Sequence, residues 1–309
     1  MIEGMEGVFR YQHRAMATLF EVMIVDEDSS FAAGAALAAF EEINRLEQDL
    51  SRYSANSDIA RINNLSPHGS VRVSPDTFQC LRLSRQFWEE TGGAFDITLG
   101  ALKNCWVGGE QLRLHPTPEE IVQARERSGM HHLELDEAAM AVRVGDSVPL
   151  LDLGAIGKGY AVDRAVELLK EWGVLSALVH GGTSSVYAFG NCPRNQGWPV
   201  TLSSPGQPSE ILEKVNLQAE GLGGSGITKG GHIIDPRASR PIEGRRAAWV
   251  LSDSATRSDA VSTACMVMTR GEIEQYVACN PRLWAMIVQE HPGPVLRFGR
   301  ASAAEAAPV

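Results

Sequence analysis

Apolar residues recur at helical spacing through the Ala-rich stretch from Phe31 to Leu50, which predicts a long amphipathic helix. Before it, Thr18 to Val25 reads as a strand. Ser74-Pro75 followed by Phe78, Leu81 and Leu83 predicts another helix, with Ser74 as N-cap and Pro75 in the first turn. That helix stops at Gly92-Gly93. Thr117-Pro-Glu-Glu120 repeats the logic, and Glu120 stands three residues past the cap, as a capping box requires. His132 to Leu135 and Met140 to Val144 read as a hairpin around Asp136-Glu137. Gly159 to Trp172 predicts a helix closed by Gly173. Strands then alternate from Ser176 to Phe189 and from Trp198 to Ser203. Ala247 to Ser252 reads as a strand leading into a helix that carries Asp259, and Leu283 to Val288 and Val295 to Phe298 close the chain as strands. Hairpins mixed with helices predict an α+β fold, with a mixed or antiparallel sheet flanked by helices, rather than a doubly wound parallel sheet. No repeat or low-complexity linker divides the chain. Residues 1–300 read as one unit and 301–309 as a disordered tail.

The most informative segment is Arg257-Ser-Asp-Ala-Val-Ser-Thr-Ala264. On a helix, Asp259 and Thr263 are four residues apart and share a face. Both offer hard oxygen donors, the kind Mg²⁺ takes. Alone, such a pair is more often a cap or a solvated face. Two other dense segments change the weighing: Asp152-Leu-Gly-Ala-Ile-Gly-Lys-Gly159 and His232-Ile-Ile-Asp-Pro-Arg237. The first lacks the spacing of a P-loop or a dinucleotide fingerprint. Its small residues still let backbone approach a phosphate at a helix start, with Lys158 adding charge. The competing reading is a tight strand-to-helix turn with a solvated Lys. Gly181-Gly182 and the run Gly221-Leu-Gly-Gly-Ser-Gly226 read either as close-approach positions or as loop glycines. In Gly93-Ala-Phe-Asp96, Phe95 is a stacking ring or a core residue, and Asp96 bonds a ligand or caps the next turn.

Composition narrows the ligand. The chain has 309 residues and a net charge of −10 with no dense Lys/Arg run, which argues against a nucleic-acid partner. A phosphorylated ligand is then held by local devices: a metal, a few Lys or Arg, and backbone amides. The five cysteines, Cys80, Cys105, Cys192, Cys265 and Cys279, are scattered, so neither a disulfide framework nor a thiolate zinc site is indicated. No Gly-x-Ser-x-Gly elbow supports a serine hydrolase. His131-His132 has no third ligand nearby in sequence. No segment reads as a membrane span. The start lacks a basic region followed by an apolar run, which predicts a cytoplasmic protein, or an exported one if a leader has been removed.

Taken in order, these segments resemble the ApbE family, the FAD:protein FMN transferases. The likeness runs from about Arg14 to about Phe298. It is carried by Met16-Ala-Thr18, Leu50-Ser-Arg-Tyr53, Ser57-Asp-Ile-Ala-Arg-Ile-Asn63, Gly93-Ala-Phe-Asp96, Asp152-Leu-Gly-Ala-Ile-Gly-Lys158, Gly181-Gly182, His232-Ile-Ile-Asp-Pro236 and Asp259-Ala-Val-Ser-Thr263. The resemblance implies an ApbE-like fold, FAD as substrate, and Mg²⁺ on its pyrophosphate. It implies transfer of the FMN half to a Ser/Thr hydroxyl of an acceptor flavoprotein, with AMP released. An FAD pyrophosphatase and a non-catalytic flavin-binding protein are the alternatives, and a homodimer is compatible with the family. By position, Asp259, Thr263 and the Ala155 carbonyl are the implied metal ligands. Met16, Tyr53, Ala94, Phe95, Asp96, Asp152, Lys158, His232 and Ile233 are the implied FAD contacts. His232, at the reacting phosphate, and Asp259 are the implied catalytic residues. The chain departs from the family at Ala17 and Ser239, where Gly is usual, at Thr183 after the double Gly, where an acidic residue is usual, and at His180, where Asn is usual. The connection from Ser225-Gly226 to His232 is short.

Overall fold

The structure, a computed structural model, describes residues 7–108, 111–112, 115–227, 232–290 and 293–299. The expected tail 301–309 and most of the short connection before His232 lie outside the described residues.

One eight-stranded sheet organises the molecule. Its strands are β1 (Val8–Ala15), β2 (Thr18–Val25), β3 (Ala177–Gly181), β4 (Ser185–Phe189), β5 (Glu220–Gly226), β6 (Arg245–Ser252), β7 (Trp284–Gln289) and β8 (Val295–Phe298). They lie side by side in chain order, and every neighbouring pair is antiparallel. The fold is α+β, with the antiparallel form of the expected sheet.

The helices are α1 (Ser29–Leu50), α2 (Asp58–Asn63), α3 (Pro75–Glu90), α4 (Gly100–Trp106), α5 (Pro118–Glu126), α6 (Gly157–Glu171), α7 (Ala255–Val267) and α8 (Arg270–Cys279). Their starts follow local chemistry. Asp28 caps α1, three residues ahead of where the apolar pattern begins. Ser74 caps α3, with Pro75 in its first turn. Thr117 and Glu120 form the expected capping box of α5, and Thr269 and Glu272 form another on α8. Helices α1, α6 and α7 form a layer on one face of the sheet. The hairpin Trp198–Ser204/Gln207–Leu217 covers the other face, where Trp198, Leu202 and Leu217 pack with Leu178, Leu222, Leu251 and Trp284. No helix among the described residues is long and apolar enough to cross a membrane.

The glycine run Gly221 to Gly226 is not a loop. It is strand β5, in the interior of the sheet beneath α7. A Cβ on Gly221 would come 2.4 Å from the Ala255 nitrogen, and one on Gly223 would come 2.1 Å from the Ser258 carbonyl. Gly221 and Gly223 are there because a helix backbone lies against the strand.

The β1–β2 turn places Met16 and Ala17 at φ 49° and 56°. A two-residue hairpin of this kind needs positive φ at both centres, and an L-residue pays about 1–2 kcal/mol there. Ala17→Gly is therefore expected to stabilise the chain by about 1 kcal/mol and raise the melting midpoint by roughly 2–4 °C. Thermal unfolding checks this; a midpoint at or below the parent's refutes it. Ser239, the other departure from a usual Gly, also has positive φ, at 55°.

Candidate functional site

The site forms where α6 and α7 begin. Asp152-Leu-Gly-Ala-Ile156 makes a turn into α6, in which the Gly154 N–H donates to Asp152 Oδ1 at 2.9 Å. Ile156 supplies no side-chain cap, so the first N–H groups of α6 need other partners. One comes from across the interface: the Gly159 N–H donates to Asp259 Oδ2 at 3.1 Å. Helix α6 returns the favour. Asp163 accepts from the Ala255 and Thr256 N–H groups, both at 2.8 Å, and from the Thr256 hydroxyl at 2.5 Å. Each helix start is thus held by a carboxylate of the other, where a negative charge is favoured. Burial pushes the Asp163 carboxyl up to about 6 against the pull of its donors. At Gly159 the helices touch so closely that a Cβ would come 2.4 Å from the Ala255 carbonyl oxygen.

A cavity of about 440 Å³ opens over this junction. All the residues read as site residues line it except Met16 and Tyr53. Asp259 is 2% exposed and faces Lys158, whose Nζ is 3.7 Å from Asp259 Oδ2 and donates to the Gly154 carbonyl at 2.8 Å. Thr263 and Ala155 line the same wall, and half-buried His232 and buried Ile233 form another side. The 93–98 turn contributes Ala94, Phe95 and Asp96. The Phe95 ring is buried and packs edge-on to Phe87 at the cavity wall. Asp96 Oδ1 accepts from the Thr98 N–H at 2.7 Å and hydroxyl at 2.6 Å, so it caps its own turn. Burial raises its pKa above the ordinary value despite those bonds.

A second chamber of about 950 Å³ shares Lys103, Asp152, Gly154, Lys158, Thr183 and Ser184 with the first. Met16 and Tyr53 line this one. Tyr53 is 81% exposed, with the Arg52 guanidinium 4.9 Å from its ring centroid. His180, also lining this chamber, bonds the Gly182 carbonyl at 3.0 Å and pairs with buried Glu21 at 2.5 Å.

Sequence reasoning missed two cations where the chambers meet. Lys103 Nζ lies 2.8 Å and Arg52 Nη1 3.3 Å from Asp152 Oδ2. Burial alone would raise the Asp152 carboxyl, but Lys103, Arg52 and the Gly154 N–H hold it below the usual carboxylate range. With Lys158, three cations converge on a place where the sequence had shown one. Arg52 stands beside Tyr53 in a quoted motif, and Lys103 lies on α4, a helix the hydropathy pattern did not reveal.

These geometries meet known proteins. The ApbE family model matches residues 16–287. The FAD:protein FMN transferase of Salmonella typhimurium (strain LT2) is 27% identical over 295 residues, covering 91% of this chain and 84% of that protein. That of Escherichia coli (strain K12) is 26% identical over 292 residues, covering 90% and 83%. Among solved structures, the Pseudomonas stutzeri flavinyl transferase ApbE, apo form, superposes with a TM-score of 0.83 at 27% identity and covers 94% of each chain. The ApbE protein of Thermotoga maritima gives 0.84 at 27% identity, covering 94% of this chain and 97% of that one.

Proposed function

The chain belongs to the ApbE family, and from that premise we propose that it is an FAD:protein FMN transferase. One observation carries the reading on the structural side. A single cavity gathers Asp259, Thr263, Ala155, Lys158 and His232, and it shares the wall of Lys103, Asp152 and Lys158 with a second chamber. A dinucleotide needs that layout: room for two ring systems and positive charge between them.

The donor set suits Mg²⁺. Among the described residues no three His, Cys, Asp or Glu side chains are grouped to hold a metal. Asp259, Thr263 and the Ala155 carbonyl offer instead one carboxylate and two neutral oxygens, leaving positions for phosphate oxygens and water. When bound, Mg²⁺ supplies charge neutralisation across the pyrophosphate and fixes its orientation.

The chain's own residues do the rest. Lys158, Lys103 and Arg52 bind the phosphates, and Asp152 keeps two of those cations aimed at the junction. The acceptor's Ser or Thr oxygen forms a bond to the FMN phosphorus as the bond to the bridging oxygen breaks and AMP leaves. The acceptor hydroxyl's proton passes to a His232 ring nitrogen. Tyr53, at the rim of the second chamber, offers an exposed ring face to one end of FAD.

The test is incubation with FAD, Mg²⁺ and an acceptor flavoprotein, read by intact-protein mass and nucleotide analysis. AMP together with protein-bound flavin is the expected result. AMP with free FMN would make the chain a pyrophosphatase, and neither product would make it a flavin carrier.

A further inference from the structure

We propose that Ser225 and Ser262 are positioning residues that fix the direction in which the Thr263 hydroxyl offers its lone pairs to the metal. The proposal rests on the reading of Asp259, Thr263 and Ala155 as the cation's ligands. Ser225 is the next-to-last residue of strand β5 and lines the first cavity. Its Oγ lies 2.8 Å from Thr263 Oγ1 and 2.8 Å from Ser262 Oγ. Ser262 Oγ lies 2.9 Å from the Asp259 carbonyl oxygen, whereas Thr263 Oγ1 is 3.4 Å from the same atom.

Three hydroxyls and one carbonyl share these contacts, and their protons can be counted. A hydroxyl donates once and accepts on two lone pairs; a carbonyl only accepts. The carbonyl must therefore end the chain. Ser262 is fully buried, so its proton needs a partner. At 2.9 Å the carbonyl is a good acceptor for Ser262, while the 3.4 Å contact from Thr263 is beyond the usual range. Ser262 thus donates to the Asp259 carbonyl, Ser225 to Ser262, and Thr263 to Ser225. In this order no proton points at Thr263 Oγ1, and both its lone pairs remain for the cavity it lines. A cation ligand has to present a lone pair rather than a proton. The reversed order would place the Ser225 proton on Thr263 Oγ1 and leave the carbonyl only the long contact.

The same bonds also tie α7 to β5, so the test must separate orientation from glue. The probe is Mn²⁺ alone, added to the full chain and followed by the electron paramagnetic resonance of free Mn²⁺. The variants are Ser225→Ala, Ser262→Ala, the double variant and Ser225→Thr, each with a thermal midpoint. Groups that orient a metal ligand typically change affinity by 10- to 100-fold, so each alanine should weaken Mn²⁺ binding by about tenfold. The double variant should be no more than about twofold worse than either single, because one chain is broken in all three. Ser225→Thr, which keeps the hydroxyl, should bind as the parent does. Half-buried Ser225 keeps the test open if Ser262→Ala fails to fold. Unchanged Mn²⁺ affinity in Ser225→Ala overturns the proposal, as does a loss that follows the thermal midpoint across the set. A parent chain that does not bind Mn²⁺ overturns the metal reading and the hydroxyl chain with it.

Discussion

Asp259→Asn is expected to lower the rate of flavin transfer by about 10³-fold, equivalent to about 4 kcal/mol of lost transition-state stabilisation, while leaving the fold intact. The argument is one of charge without shape. Asparagine has the same size and keeps an oxygen that can accept the Gly159 N–H now bonded at 3.1 Å. It removes the negative charge that faces Lys158 at 3.7 Å and that, on the proposed reading, is the divalent cation's one anionic protein ligand. The cation should bind far more weakly, and raising its concentration should recover part of the rate. Steady-state transfer at increasing Mg²⁺, with circular dichroism as the control for folding, checks this. Parental rates with an unchanged Mg²⁺ dependence would remove Asp259 from the metal site.

The second large effect belongs to a residue with no chemistry of its own. Gly223→Ala is expected to cost about 3 kcal/mol of stability or more, and Gly223→Val to prevent folding. The added Cβ would come 2.1 Å from the Ser258 carbonyl carbon and oxygen and 2.4 Å from the Asp259 nitrogen. All three atoms are helix backbone, so no side chain can rotate out of the way. Relief requires β5 and α7 to move apart, which disturbs the wall carrying Asp259 and Thr263. Denaturant unfolding measures the loss, and a cost below about 1 kcal/mol would mean that the helix and strand are not in backbone contact.

Much of this was legible because it is local. Ser74 and the Thr117–Glu120 box each act on a partner three positions along, and the structure has them at α3 and α5. Asp259 and Thr263 are one helical turn apart, so their shared wall follows from the period alone. What stayed hidden depends on distant pairing. Lys103 and Asp152 are 49 positions apart, and no pattern in either segment announces the other. Strand β1, Val8–Ala15, is rich in polar residues and becomes a strand through its antiparallel pairing with β2. The glycines of β5 give a loop signal by composition. Only the close approach of α7 makes glycine the residue that a strand needs there. His180 reads as a departure from a family pattern, but its pairing with buried Glu21 arises because β2 and β3 place the two residues directly opposite.

The exchange of carboxylates between α6 and α7 makes the two helix starts a single breathing unit. Fraying the first turn of α7 strips Asp163 of its three donors, and fraying that of α6 takes the Gly159 N–H from Asp259. An opening at either end therefore loosens the other, and independent small excursions are suppressed in favour of rarer, joint ones. Loosening either helix start is therefore expected to disturb the cavity wall that carries Asp259 and Thr263 as a whole rather than at one residue.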